Sequence, residues 1–209
     1  ATRGLIRHQF NHNPNHVGDA SMGTSSTVNT NTHTGPSFGL KSRIARGIWG
    51  LVEVSLFRLS PRPLHRWRSL LLRCFGARIG SHTHIYPGVR VWAPWNLHIG
   101  NECGIGDETI LYSQDTITLG DRVVISQGCY LCTGTHDYET SGFPLRTLPI
   151  HIGSHAWIAA QAFIHPGVTI GEGTVIGARS VVTEDMPEWT VCSGFPCHAL
   201  KKRTLNRNQ

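Results

Sequence analysis

Residues 79–198 contain no lysine and only four arginines against eleven acids, so the longest stretch of uniform character lacks the basic stripe that nucleic-acid binding requires. No apolar run is long enough to span a bilayer, the richest, Ile48 to Leu59, being interrupted by Gly50, Glu53 and Ser55. The N-terminus carries Arg3, Arg7 and His8 and no apolar h-region, so no signal peptide is read there; the chain begins with Ala, which leaves a processed start open. The six cysteines, Cys74, Cys103, Cys129, Cys132, Cys192 and Cys197, lack the dense spacing of a disulfide-stapled secreted domain, and a reducing cytosol is expected. Residues 1–37 have few large apolar side chains and many Asn, Thr, Ser, His and Gly. They cannot bury enough surface to offset the entropy of ordering, and disorder is expected. His8, His12, His16 and His33 are too irregularly spaced to read as a metal tract.

A chain of 209 residues is long enough for one folded domain with appendages. Its net charge of +6 is unevenly placed: residues 41–78 hold nine Lys or Arg and one acid, Glu53, whereas residues 79–198 sum to −7. The basic total does not describe the body of the protein.

What the chain has in abundance is a repeat of six. Between Ile79 and Met186 fifteen hexads open with Ile, Leu or Val: Ile79, Ile85, Val91; Ile99, Ile105, Leu111; Leu119, Ile125, Leu131; and, after a break, Ile152, Ile158, Ile164, Ile170, Ile176, Val182. Gly follows the opener in seven, and the fifth position is Ala, Cys, Ser, Thr or Val in twelve, with Trp95, Asp115 and Met186 as exceptions. Such a period is read before any other signal. Each hexad makes one flat side of a triangular coil, its opener pointing inward onto the opener of the next coil, and Gly or a polar residue lets the chain turn. Three hexads close a coil, so about five coils stack in one dimension. Two-residue insertions, Leu97-His98 and Ile117-Thr118, are expected to bulge at corners. A sandwich of short alternating strands would show a period of two.

Before the coils, Ile44, Ile48, Leu51, Val52, Leu56 and Leu59 recur at three- and four-residue intervals and predict an amphipathic helix. Ser60-Pro61-Arg62-Pro63 stops it, and Leu64 to Phe75 reads as a second helix ended by Gly76. This basic hairpin, residues 38–78, is read as a cap on the first coil or as a Trp-bearing surface, through Trp49 and Trp67, resting on an anionic membrane. Both can hold.

The hexads break after Leu131 and resume at Ile152, leaving a loop over residues 133–151; loops on rigid scaffolds commonly carry chemistry. Cys129-Tyr-Leu-Cys132 is formally C-x-x-C, but Cys129 falls on an inward fifth position and reads as a small buried hydrophobe. The chain ends in a basic tail, residues 199–209, with Lys201, Lys202 and Arg203.

Several segments resemble the hexapeptide-repeat, left-handed β-helix acyltransferases, and within them the colanic acid biosynthesis acetyltransferases of the WcaF type. They are Ser60-Pro-Arg-Pro-Leu-His-Arg-Trp-Arg68, Ile85-Tyr-Pro-Gly-Val-Arg-Val-Trp-Ala-Pro-Trp-Asn-Leu97, Cys132-Thr-Gly-Thr-His-Asp-Tyr138, Ala156-Trp-Ile-Ala-Ala160, Pro166-Gly-Val-Thr-Ile-Gly171 and Gly194-Phe-Pro-Cys197. The resemblance covers about residues 38–203 and implies an all-β, left-handed parallel β-helix over 79–198, assembled as a homotrimer. It also implies an O-acetyltransferase that uses acetyl-CoA and no metal to acetylate a sugar hydroxyl in exopolysaccharide or surface-glycan assembly.

The resemblance further implies that His136 is the general base. An alcohol attacks a thioester slowly until a base takes its proton, and imidazole titrates near neutral pH. Asp137 or Glu139 is a candidate to orient the imidazole, and Asp137 equally a candidate for an Asx turn. By position, Trp157 lies against the active site, the backbone around Ala160 and Ala178 lines a pantetheine groove, and Thr183 and Lys201 fall at the nucleotide end. Where the family often has Lys and Arg this chain has Glu184 and His198, which turns attention to Lys201, Lys202 and Arg203 for the phosphate.

Two other readings use the same fold. A γ-class carbonic anhydrase needs paired histidines, which His82, His84, His98, His151, His155 and His165 do not reproduce. A non-catalytic β-helix scaffold would make the 133–151 loop incidental. The expected setting is cytoplasmic, with peripheral attachment to the inner membrane face through residues 41–78 as a further expectation.

Overall fold

A computed structural model describes residues 38–205; the expectations for residues 1–37, the four histidines there included, and for residues 206–209 lie outside the described residues. The repeat region is a parallel β-helix with three faces. The first carries strands Arg78–Ile79, Leu97–Ile99, Ile117–Leu119, Ile150–Ile152 and Thr169–Ile170 in that order. The second starts with His84–Ile85 and Gly104–Ile105 and the third with Arg90–Val91 and Ile110–Tyr112. All fifteen openers are buried in one column, each contributing ~1.5–3 kcal/mol relative to exposure. Most fifth positions, from Thr83 and Val89 to Thr174 and Ser180, are buried beside them.

The two-residue insertions do not bulge. Leu97 and Ile117 are fully buried and extend the first face, because adding two residues to a strand preserves which side each residue faces. The end of the repeat also departs from expectation. The hexad begun at Val182 is cut to four residues, so that Met186 bridges Ile170 and Cys192 pairs with Ile176: both are buried openers of a partial sixth coil.

Turning and close approach are divided between two positions. Left-handed backbone recurs three residues after the opener, at His82, Glu102, Arg122 and His155, with φ between 54° and 61°. These non-glycine residues are held there by coil-to-coil hydrogen bonds such as Glu102 N–H to Ser81 O at 2.8 Å and Arg122 N–H to Asn101 O at 2.8 Å. The Gly after the opener serves a different end: a Cβ on Gly100 would lie 2.6 Å from the Gly120 carbonyl group of the next coil.

Within the stack an opener's carbonyl accepts an N–H from the preceding coil, as Ile99 O does from Gly80 at 2.8 Å. The first coil has no predecessor, and the helical hairpin supplies the donors. Helix α1, Leu40–Val52, runs into a π-helical turn, Glu53–Phe57, and α2 spans His65–Cys74. From these elements Arg73 Nη2 donates to Ile79 O at 2.7 Å, Arg68 Nε to Ile85 O at 2.6 Å and Trp49 Nε1 to Val91 O at 2.7 Å, one on each face. Glu53 accepts the Val91 N–H at 2.7 Å. Arg68 is fully buried, and its remaining nitrogens reach Ser60 Oγ, Pro61 O and Arg62 O. These bonds give the opener carbonyl of each face a donor at the first edge.

At the far end Thr190–Gly194 lies parallel to Val175–Ile176, and Cys197–Lys202 folds back antiparallel on it. The segment expected as a basic tail from Ala199 is therefore strand as far as Lys202, because its residues complete an otherwise open edge.

Candidate active site

The interruption after Leu131 is a β-hairpin. Gly134–His136 pairs antiparallel with Leu145–Thr147, placing Gly134 opposite Thr147 and His136 opposite Leu145. Its root is anchored by Thr133, fully buried, whose hydroxyl donates to Tyr112 O at 2.8 Å and accepts the Asp115 N–H at 2.9 Å. Beside the root lies Gln114, whose Nε2 donates to the Tyr112 hydroxyl at 2.8 Å while its buried Oε1 has no partner. Any Cβ on Gly134 would collide with that oxygen, which accounts for glycine there.

His136 is held by one residue. Its Nδ1 lies 3.0 Å from the Phe143 carbonyl oxygen, and the two rings stack with centroids 4.3 Å apart and planes 8° apart. A carbonyl only accepts, so Nδ1 carries the proton and the neutral ring presents its lone pair at Nε2. Phe143 achieves both contacts with φ at 45°, an uncommon left-handed conformation for an aromatic residue. The sequence reading missed Phe143: only its place in the turn joining the two strands, before Pro144, could have hinted at it.

Asp137 does not take the orienting role. Its Oδ2 is 2.7 Å from Arg146 Nη2 and its Oδ1 accepts the Glu139 N–H at 3.2 Å, an Asx turn. Desolvation pushes this carboxyl's pKa up, but the Thr140 hydrogen bond and the Arg146 charge outweigh it and hold it below the usual range.

The expected donor-side residues fall into two groups. Trp157, in strand Trp157–Ile158 of the second face, is 45% exposed and donates from Nε1 to Ser126 Oγ at 3.0 Å. Ala160 and Ala178 stack at the corner that follows it, Arg179 N–H reaching Ala160 O at 2.9 Å. Thr183 lies apart from them, just past strand Val181–Val182 at the end of the third face. Lys201 lies on the second face but three strands from Trp157, through Val175 and Val191. Lys201 and Lys202 are exposed. Arg203 is tied to the body: its Nη1 donates to His155 O at 2.9 Å and Gly173 O at 2.7 Å, with its guanidinium over Trp189. That arrangement removes it from the free phosphate-binding set. The two departures from the family pattern meet, His198 Nδ1 lying 3.7 Å from Glu184 Oε1.

Cys129 is fully buried with its thiol donating to Ala159 O at 3.1 Å, and burial pushes its pKa up, as it does for Cys132. Neither is a poised thiolate. Among the described residues no group of three or more His, Cys, Asp or Glu gathers as a metal site.

Comparison with known proteins agrees with this architecture. The family described as bacterial transferase hexapeptide (six repeats) matches residues 149–184. WcaF of Escherichia coli K12, provisionally named a colanic acid biosynthesis acetyltransferase, is 45% identical over 156 residues, covering 75% of this chain and 86% of its own. The galactoside O-acetyltransferase of the same organism is 34% identical over 146 residues, covering 68% of this chain and 71% of its own. Among solved structures, a maltose O-acetyltransferase from Clostridium difficile 630 superposes with a TM-score of 0.68 at 27% identity, over 80% of this chain and 90% of that one. A galactoside acetyltransferase solved with coenzyme A gives 0.66 at 25% identity, over 81% and 86%. With three faces of stacked hexads, one inserted hairpin and this degree of identity over three quarters of its length, the chain belongs to the hexapeptide-repeat, left-handed β-helix acetyltransferases and, within them, to the WcaF-like group.

Proposed function

We propose that the protein transfers acetyl from acetyl-CoA to a sugar hydroxyl in exopolysaccharide or surface-glycan assembly, with Nε2 of His136 as the general base. The observation that carries this reading is the Phe143 carbonyl at Nδ1, which commits the ring to the tautomer a base needs. Nε2 takes the hydroxyl proton as the acceptor oxygen attacks the thioester carbon. The tetrahedral oxyanion then collapses, the C–S bond breaks, and the coenzyme A thiolate takes the proton from the imidazolium. No covalent acetyl-enzyme is needed. The relatives named for galactoside O-acetylation and colanic acid biosynthesis support this class of acceptor.

On the donor side, Trp157 and the Ala160–Ala178 corner offer a surface for the extended pantetheine arm, Thr183 remains a candidate for its far end, and Lys201 and Lys202 are the cations for the phosphates. Because His136 and the Trp157 surface belong to different faces of one chain, we assign the complete site to a homotrimer in which the hairpin of one subunit meets the groove of the next. Acetyl-CoA is a cytosolic metabolite, and the reaction is placed there.

The test is consumption of acetyl-CoA by the purified protein with a panel of sugars and lipid-linked oligosaccharides, wild type against His136→Ala. A loss of at least ~100-fold in kcat with coenzyme A binding retained is expected. An equally active variant removes the mechanism, and failure to bind coenzyme A at all favours a non-catalytic scaffold.

A further inference from the structure

The outward side of the N-terminal hairpin carries a second apolar face that no other element covers among the described residues. Trp49 and Phe57 turn into the coil and are buried, whereas Leu40, Ile44, Ile48 and Leu51 recur along the opposite side of α1. Leu40 is 68%, Leu51 73% and, beyond the π-helical turn, Leu59 78% exposed. Trp67 of α2 is also exposed, with its Nε1 donating to Leu56 O at 3.0 Å. A contiguous apolar surface of this kind on a protein of this size marks a contact with something else.

Charge identifies what that is. Residues 41–78 hold nine cations and one acid, and the acid, Glu53, points inward to the Val91 N–H. Lys41, Arg43, Arg58, Arg62 and Arg66 are exposed around the apolar residues. Between residues 40 and 78 no acid is exposed, so this face presents mainly apolar and cationic groups, Arg62 pairing with Asp107 of the coil at 4.0 Å, whereas a protein partner or second copy of this body would offer a mixed surface. The surface complementary to both features at once is a bilayer leaflet with anionic headgroups. Among the described residues no helix is long and apolar enough to cross a membrane, which leaves α1 in the interface plane.

We infer that α1 and the turn to α2 form a peripheral docking surface for an anionic bilayer, setting the β-helix upright on it. The inference rests on the proposed acetyl transfer only for its purpose. His136 leaves the body between the third and fourth coils, about 15 Å above the capped edge at ~4.8 Å per coil, within reach of a sugar on a lipid-linked carrier.

The experiment is co-sedimentation of the full chain with vesicles of phosphatidylcholine alone or containing 30 mol% phosphatidylglycerol, at low and at ~0.5 M salt. Binding to the anionic vesicles only, weakened by salt, is expected. The double variant Arg43→Glu/Arg58→Glu should lose at least about fivefold per reversed charge, and Ile48→Ser/Leu51→Ser should weaken binding while what remains keeps its salt dependence. These side chains are exposed, so an unchanged circular dichroism spectrum and elution volume are expected alongside. Equal binding to both vesicle types, no binding to either, or dissociation of the oligomer by Ile48→Ser/Leu51→Ser would overturn the inference, the last by making this face a subunit contact. Coenzyme A binding measured on the same samples is independent of all these outcomes, so failure here is distinguishable from failure of the acetyltransferase reading.

Discussion

Phe143 supplies both the ring that stacks on His136, at 4.3 Å between centroids, and the carbonyl oxygen 3.0 Å from its Nδ1. Stack and hydrogen bond together leave the imidazole one orientation and one tautomer. Phe143→Ala keeps the carbonyl and removes the stack, so it should lower kcat by about ten- to a hundredfold with KM for acetyl-CoA nearly constant. Phe143→Tyr, which retains the ring, should restore activity. Steady-state kinetics of the three proteins checks this; an unchanged kcat in Phe143→Ala would show that the ring only covers the hairpin.

Arg68 makes four hydrogen bonds from a fully buried guanidinium, to Ile85 O, Ser60 Oγ, Pro61 O and Arg62 O. Arg68→Met fills much of the volume and leaves Ser60 Oγ, Pro61 O and Arg62 O without this donor, Ile85 O keeping only His65 Nδ1 at 2.9 Å, at a cost of ~3 kcal/mol or more. Arg68→Lys should recover little, because an ammonium is a point donor and cannot span the four. Amide exchange should rise first in α1 and α2. Equal protection in wild type and Arg68→Met would refute the capping role.

Glu53 gives the fold a pH dependence. Burial raises its pKa above the ordinary 4.5, outweighing the Val91 hydrogen bond and the Arg58 and Arg90 charges. A raised folded value means that the folded state holds the proton more tightly. The carboxyl's contribution is therefore complete below pH 4.5 and is lost as pH rises through the folded value. Glu53→Gln keeps an oxygen for Val91 N–H and removes that loss. Its melting temperature should match wild type near pH 4.5 and exceed it increasingly toward neutrality. A constant difference across that range would contradict the assignment.

Gly100 and Gly104 should respond in opposite ways to the same methyl group. A Cβ at Gly100 meets the backbone of Gly120 at 2.6 Å, whereas one at Gly104 meets nothing within 4 Å. Gly100→Ala should destabilise by ~1–3 kcal/mol, and Gly104→Ala should be neutral or mildly stabilising. Thermal denaturation distinguishes them; equal melting temperatures would mean that the coils separate without cost.

The stacking of the coils is legible in the sequence because each opener needs only its counterpart in the next coil, a relation that recurs every few residues. What escapes reading depends on relations without a period. The carbonyls that Arg68 and Trp49 reach are 17 and 42 residues along the chain, and these, like the nearer one that Arg73 reaches, are chosen by the placement of a hairpin. The pairing of Gly134–His136 with Leu145–Thr147 turns an apparent loop into a strand pair and brings Phe143 to His136. The shortened hexad at Val182 is invisible until Met186 is seen opposite Ile170. The roles of glycine are separable only once the distance between coils is known, since Gly100 and His82 serve different constraints.

A stack of identical coils has no intrinsic length, and each end is a template on which another copy could grow. Here side chains of the hairpin occupy one carbonyl on each face of the first rung, those of Ile79, Ile85 and Val91. On the second face the last rung is covered by a reversed strand ending in Lys201 and Lys202, whose charges repel an identical edge. The two closures work against growth into a fibre and leave the flat sides, where the proposed site lies, as the surfaces open to lateral assembly.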